Sequence, residues 1–228
     1  MKIRMGELRR LIREAFGGER LALYVWRFSS YIKVVLYSPA DLLALDWSER
    51  SELPTEVLRG YASFHETDDP CNGAWEVSSI AGIGYGKILY GLGYALVPGG
   101  RLMPDREYSS KRAQGAWRKS TGKLRGFPLD DVEDPQTEDP NDDCAVRLSV
   151  KKGGPDPVLD VAYEGPRVDP GPMQQVHQET LEELMEILNA AGGDYGNVRE
   201  VGKVLGYMLE DASGEYFQVE FKKYSRER

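Results

Sequence analysis

Residues 73–117 read GAWEVSSIAGIGYGKILYGLGYALVPGGRLMPDREYSSKRAQGAW, and the order of elements in this stretch decides the fold. Residues 72–79 read as a strand. Residues 80–86 follow with Gly82, Gly84 and Gly86 at alternate positions. Residues 87–97, KILYGLGYALV, form a helix that Pro98-Gly99-Gly100 ends. A short strand over 101–105 comes next, and Ser109-Ser110 caps a helix over 110–120. A strand that enters a helix through such a turn presents backbone N–H groups with no Cβ in the way. They lie at the positive end of the helix dipole, which suits a pyrophosphate. The turn lacks the GK[ST] of a P-loop and fits GxGxxG poorly.

Working upstream, residues 21–28 (LALYVWRF) and 31–37 (YIKVVLY) flank Ser29-Ser30 as a hairpin. Residues 39–54 connect them to a strand over 56–66, with room for a short helical turn, and Asp68-Asp69-Pro70 makes the next turn. Met5, Leu8, Leu11, Ile12 and Ala15 recur at helical spacing, so residues 1–20 hold an amphipathic helix. Downstream, residues 129–144 are dense in Asp and Glu and read as an exposed acidic loop. Strand-like pieces follow at 145–151 and 158–163. Residues 174–191 read as a helix with Val176, Leu181, Leu184, Ile187 and Leu188 on one face. In the tail VLGYML, a Ser213-Gly214 turn and YFQVEF predict a second hairpin. The expected fold class is α/β of the α+β kind. Its core, residues 21–128, is a central mixed, mostly antiparallel sheet flanked by helices, and residues 145–228 add a C-terminal α/β extension packed on it.

The 228 residues are 41% hydrophobic and 29% charged, enough to bury a full core. No apolar run is long enough to span a bilayer, and no apolar N-terminal segment marks the chain for secretion. Cys71 and Cys144 form no CxxC pair, and two histidines do not complete a zinc set, so no metal site is expected. The thiols suit a reducing cytoplasm, the expected location. A net charge of -8 opposes general nucleic-acid binding. The charge is uneven, however. Residues 101–125 carry Arg101, Arg106, Lys111, Arg112, Arg118, Lys119, Lys123 and Arg125, a basic stretch able to attract a phosphate-bearing ligand.

The segment resembles the GNAT acyltransferases. That family has a [Q/R]xxGx[G/A] turn between its fourth strand and a helix, and residues 81–86 (AGIGYG) fit this frame with Gly84 and Gly86 at the small positions. The chain is similar to a branch of the superfamily carried by bacteriophage genomes, through CNGAWEV (71–77), GYGKILY (84–90), LMPDR (102–106) and DDC (142–144). The resemblance covers about residues 56–165. It departs from the family at Ala81, where most members have the Gln or Arg that helps hold the pyrophosphate.

What the resemblance implies is a GNAT-like sheet using acetyl-coenzyme A as co-substrate, in the host cytoplasm if the chain is phage-encoded. Trp75, Val77, Gly82, Gly84, Tyr85, Gly86 and Lys87 would hold the coenzyme. An amine, on a small molecule or a protein, would attack the thioester directly. Glu76 is the first candidate for general base, beside the expected thioester, and His65 and Glu66 are the second. Tyr108 and Ser109 are candidates for the acid or for substrate binding. Trp75 and Trp117 also read as plain core residues. Two other functions stay open: a catalytically inactive phage structural or host-interaction protein, and an acyl or aminoacyl transferase acting on a nucleic-acid base or tRNA through the basic stretch.

Overall fold

A computed structural model describes residues 19–48, 52–67, 73–105, 111–121, 124–128 and 161–225. Outside these lie the expected N-terminal helix, the acidic loop over 129–144, the strand at 145–151, both cysteines, Arg106, Tyr108 and Ser109.

Among the described residues seven strands form one sheet. They are β1 (Ala22–Arg27), β2 (Tyr31–Tyr37), β3 (Leu58–Glu66), β4 (Trp75–Ala81), β5 (Leu102–Pro104), β6 (Arg125–Pro128) and β7 (Val161–Glu164), in the spatial order β1-β2-β3-β4-β5-β7-β6. β3 and β4 pair antiparallel, as do β5 with β7 and β6 with β7, whereas β4 and β5 run parallel. Parallel neighbours need a crossover, and helix α2 (Gly86–Leu96) supplies it. The described residues also form the helices α1 (Pro39–Leu43), α3 (Lys111–Thr121) and α4 (Gly171–Ala190), and a longer one in the tail. The mixed, mostly antiparallel sheet flanked by helices is the expected α+β class.

Two expectations are corrected. The tail holds no hairpin: Val198–Ser225 is one helix, α5. Val201, Leu205, Met208, Leu209 and Ala212 are buried at i, i+4, i+7, i+8 and i+11, which is helical spacing. Gly206, read as a weak point in a strand, lets Tyr24 approach the helix: a Cβ there would stand 2.5 Å from the Tyr24 hydroxyl. Secondly, the strand-like piece expected at 158–163 as part of a C-terminal extension falls on β7, which sits in the central sheet between β5 and β6.

The chain divides into two compact units. One takes residues from 1–24, 36–59 and 171–214, and the other from 25–35, 60–170 and 215–228. In the first, α4 buries Met173, His177, Thr180, Leu181 and Leu184. His177 Nδ1 lies 2.7 Å from the Tyr37 hydroxyl, and the Tyr24 ring meets its edge at 5.0 Å. Burial pulls His177 down to about 4. Arg59 bridges Glu19, at 2.8 Å, and Asp41.

In the second unit α2 lies close against the sheet. A Cβ on Gly93 would come within 2.6 Å of the Phe64 ring and 2.7 Å of Leu102, so only glycine lets the helix sit this near. Trp117 of α3 is buried, stacked on Tyr163 at 5.2 Å and edge-on to Tyr90 at 5.0 Å. Among the described residues no helix is long and apolar enough to cross a membrane.

Candidate active site

Register sorts the candidate residues onto the two faces of the sheet. His65 is opposite Glu76, and Glu76 is beside Met103 on the parallel strand. Directly paired residues project to the same side, so these three share a face. Glu66 pairs with Trp75, and Trp75 with Leu102, on the other face. His65 and Glu76 are thus brought together and Glu66 is kept from them, although it is the neighbour of His65 in sequence. Trp75 and Val77 are buried on the side of Phe64 and Leu102, so they are core residues, and a ligand at β4 meets only their backbone.

A β-bulge interrupts β4. Ser63 pairs with Ser79 and Phe64 with Val77, which leaves Ser78 as the extra residue. The bulge turns two successive serines to one side. Ser63 Oγ lies 2.6 Å from Ser78 Oγ and 2.9 Å from Ser79 Oγ. Next to His65 and Glu76 there is therefore a small polar cluster on a sheet whose other central side chains are largely apolar. Nothing in the Ser-Ser dipeptide signals a bulge, and sequence reading missed both serines.

His65 is exposed. Partial burial, and then the Lys33 ammonium, lower its pKa from the ordinary imidazole value, so its ring is neutral near pH 7 and able to accept a proton. It stacks on Tyr31 at 5.6 Å, and Tyr31 stacks on Phe28 at 4.0 Å. Glu76 is half-buried.

The parallel register of β4 with β5 covers Trp75, Glu76 and Val77 among the described residues. β4 then continues past it to Ala81 and into the glycine turn. Gly82 and Gly84 have φ of 154° and 85°, which strongly favour glycine. Tyr85 is the N-cap of α2 and gives the helix no side-chain cap, so the first N–H groups of α2, at Gly86 and Lys87, lack an intrahelical partner. A Cβ on Gly84 or Gly86 would meet no protein atom within 4 Å, and the Lys87 side chain is exposed. The cradle is open and fits an anionic group. Gly82 lies six steps along the chain from Glu76, at about 3.3 Å each, so a ligand touching both must extend about 20 Å.

No protein-family model, curated protein or solved structure matches this chain.

Ala81 is the last residue of β4 and is 7% exposed. The position at which the resemblance calls for a cationic or amide side chain is thus inside the sheet, paired with Tyr61. The exposed cation next to the turn is Lys87. Within the basic stretch, Arg101 is paired with Glu164 at 3.3 Å, while Arg118 and Lys119 are exposed in the last turn of α3. In the first unit a cavity of about 40 Å³, lined by Trp47, Leu184, Leu188, Tyr195, Val201 and Leu205 among others, has room for water but not for a coenzyme.

Proposed function

We propose that the chain is an acyl-coenzyme A-dependent N-acyltransferase of the GNAT kind, with acetyl-coenzyme A as donor and an amine as acceptor. One observation carries this reading. A parallel β4–β5 junction holding a half-buried carboxylate leads into a glycine turn where a Cβ on Gly84 or Gly86 would meet no protein atom within 4 Å and where no side chain caps α2 at Tyr85. The turn's donors and Lys87 would hold the pyrophosphate. The thioester would lie along β4, where residue 78 drops out of the ladder and leaves polar groups to orient the acyl carbonyl.

In the reaction, the amine nitrogen attacks the thioester carbonyl. The new C–N bond forms, the C–S bond breaks, and the thiolate leaves. Glu76 accepts the proton lost by the amine nitrogen, with neutral His65 as its neighbour on the same face, and the thiolate takes up a proton to give free coenzyme A. Glu76→Gln keeps the side-chain shape and removes the base. Its turnover in an assay of coenzyme A release should fall about 10²-fold or more, with coenzyme affinity little changed. Equal turnover by Glu76→Gln and wild type would remove Glu76 from the mechanism.

A second reading is favoured by Ala81. With a small buried residue in place of the usual Gln or Arg, the domain would be a scaffold of the same shape that binds no coenzyme and acts by contact with another macromolecule. A calorimetric titration with acetyl-coenzyme A separates the two.

A further inference from the structure

The bulge on β4 leaves one hydroxyl proton without a good acceptor. Ser63 Oγ has two short contacts, 2.6 Å to Ser78 Oγ and 2.9 Å to Ser79 Oγ. Three hydroxyls bring three protons, and these two contacts take up two of them. Ser63 is 3% exposed, and a buried hydroxyl that donates to nothing is costly. The bonds therefore run through Ser63, in one direction or the other, and the third proton belongs to Ser79 or to Ser78. Its other acceptor in the cluster is the Ser63 carbonyl, 3.4 Å from Ser78 Oγ, which is long for a hydroxyl bond. Ser78 and Ser79 are half-buried, so part of each is open to a ligand. Among the described residues β5 pairs with β4 as far as Val77. The two serines stand just past the end of that ladder, on the way from Glu76 to the glycine turn.

From this placement we infer that the serine cluster serves the leaving group: a hydroxyl of Ser78 or Ser79 donates to the coenzyme's sulfur as the thioester breaks, and Ser63 is the positioning residue that aims it. The inference rests on the transferase reading and names the side chains that receive the thiolate. With the pyrophosphate at the turn and the amine at Glu76, the acyl carbon is held near Glu76 and the sulfur follows on the side of Gly82. Ser78 and Ser79 are two and three steps past Glu76 in that direction, about 7–10 Å along the strand. When the C–S bond breaks, its electron pair stays on sulfur. The serine keeps its proton, because an alcohol is a far weaker acid than a thiol, and shares it with the new charge through the hydrogen bond. Water then protonates the departing thiolate. A hydrogen bond to an anion is stronger than one to a neutral sulfur, so the donor helps the transition state more than the bound thioester.

The test needs no acceptor. Free coenzyme A, with its thiol, is bound to the full chain, and the thiol is titrated in the complex by the ultraviolet absorbance of the thiolate. A hydrogen bond that favours the thiolate lowers the thiol pKa. In the double variant Ser78→Ala, Ser79→Ala that pKa should stand about one unit or more above its value in the wild-type complex, the shift that one hydrogen bond to a charged group gives. Calorimetric affinity for coenzyme A, measured where the thiol is protonated, should change little. Ser78→Thr with Ser79→Thr keeps both hydroxyls and should keep the lower value. If the double alanine variant does not fold, the single changes Ser78→Ala and Ser79→Ala serve, and one of them should show the shift. A structural role for the cluster would alter affinity or thermal stability and leave the thiol titration where it was. An unmoved thiol pKa overturns the inference, and the transferase reading stands. If the wild type does not bind coenzyme A, the transferase reading fails and this inference with it.

Discussion

Single residues in this chain act largely through what they leave open or close off. His177 is a lone histidine on the apolar face of α4, and its sequence position says little. The phenol that it meets, Tyr37, is 140 positions away. The pairing has a consequence for stability. An unfolded histidine titrates near 6.5, and buried His177 titrates near 4. The unfolded chain therefore takes up the proton first. Stability is complete above about pH 6.5 and falls as pH drops toward 4, by about 2 kcal/mol between pH 7.5 and 5 for this one group. Urea unfolding at the two pH values should show that loss in the wild type, on top of whatever other groups contribute. His177→Gln, compared at the same two values, should lose about 2 kcal/mol less. Equal pH dependence in the two proteins would show that His177 is not held neutral by its surroundings. His65 is the contrasting case. It was visible in sequence as a candidate next to Glu66, but register alone separates these two, pairing His65 with Glu76 and turning Glu66 to the other face.

At the scale of elements, the legible parts are those with a clear period. The hairpin of β1 and β2, the strand β4, the glycine turn, α2 and α4 all stand within a few residues of where apolar spacing and Gly or Pro signals put them. The tail was misread because an unbroken apolar run, VLGYML, looks like a buried strand when a glycine stands inside it and Ser213-Gly214 offers a turn. Its helical spacing, Val201 to Leu205 to Leu209, was there to be counted. Gly206 is present for the approach of Tyr24, a long-range contact that no local reading supplies. The difference between helix and hairpin can be measured. Gly214 lies inside α5, and a Cβ there would meet nothing within 4 Å. Gly214→Ala should therefore stabilise the protein by about 0.5–1 kcal/mol in thermal or urea unfolding, the ordinary gain from alanine in an exposed helix interior. Were 213–214 a tight turn needing positive φ, the same change would destabilise it. The candidate site was half legible for a related reason. Glu76 and the glycines could be marked from residue type and order. The bulge at Ser78, which gathers three hydroxyls beside Glu76, depends on how β3 and β4 pair, and pairing register is not written in either strand alone.

For the molecule as a whole, function turns on whether the open turn at the end of β4 is a seat for the coenzyme or only a bend. The sheet order, the parallel junction of β4 and β5, and the crossover by α2 place that turn at one end of β4, with Glu76 and its cross-strand partner His65 near the other. Gly86 separates the two possibilities with the least disturbance. It has no positive φ, it opens α2, and a Cβ there would meet no protein atom within 4 Å. The family frame admits alanine at this position, so a larger, acidic side chain is the informative change. Glutamate in the first turn of α2 complements the helix dipole and should leave stability unchanged or slightly higher. It would set a negative charge against a phosphate seated on the N–H groups of residues 86 and 87. The decisive measurement is a calorimetric titration of acetyl-coenzyme A into wild type and Gly86→Glu, each checked by thermal unfolding. The account predicts saturable binding to the wild type and at least tenfold weaker binding to a Gly86→Glu protein of similar stability. No binding to the wild type, or equal binding to both, would contradict it.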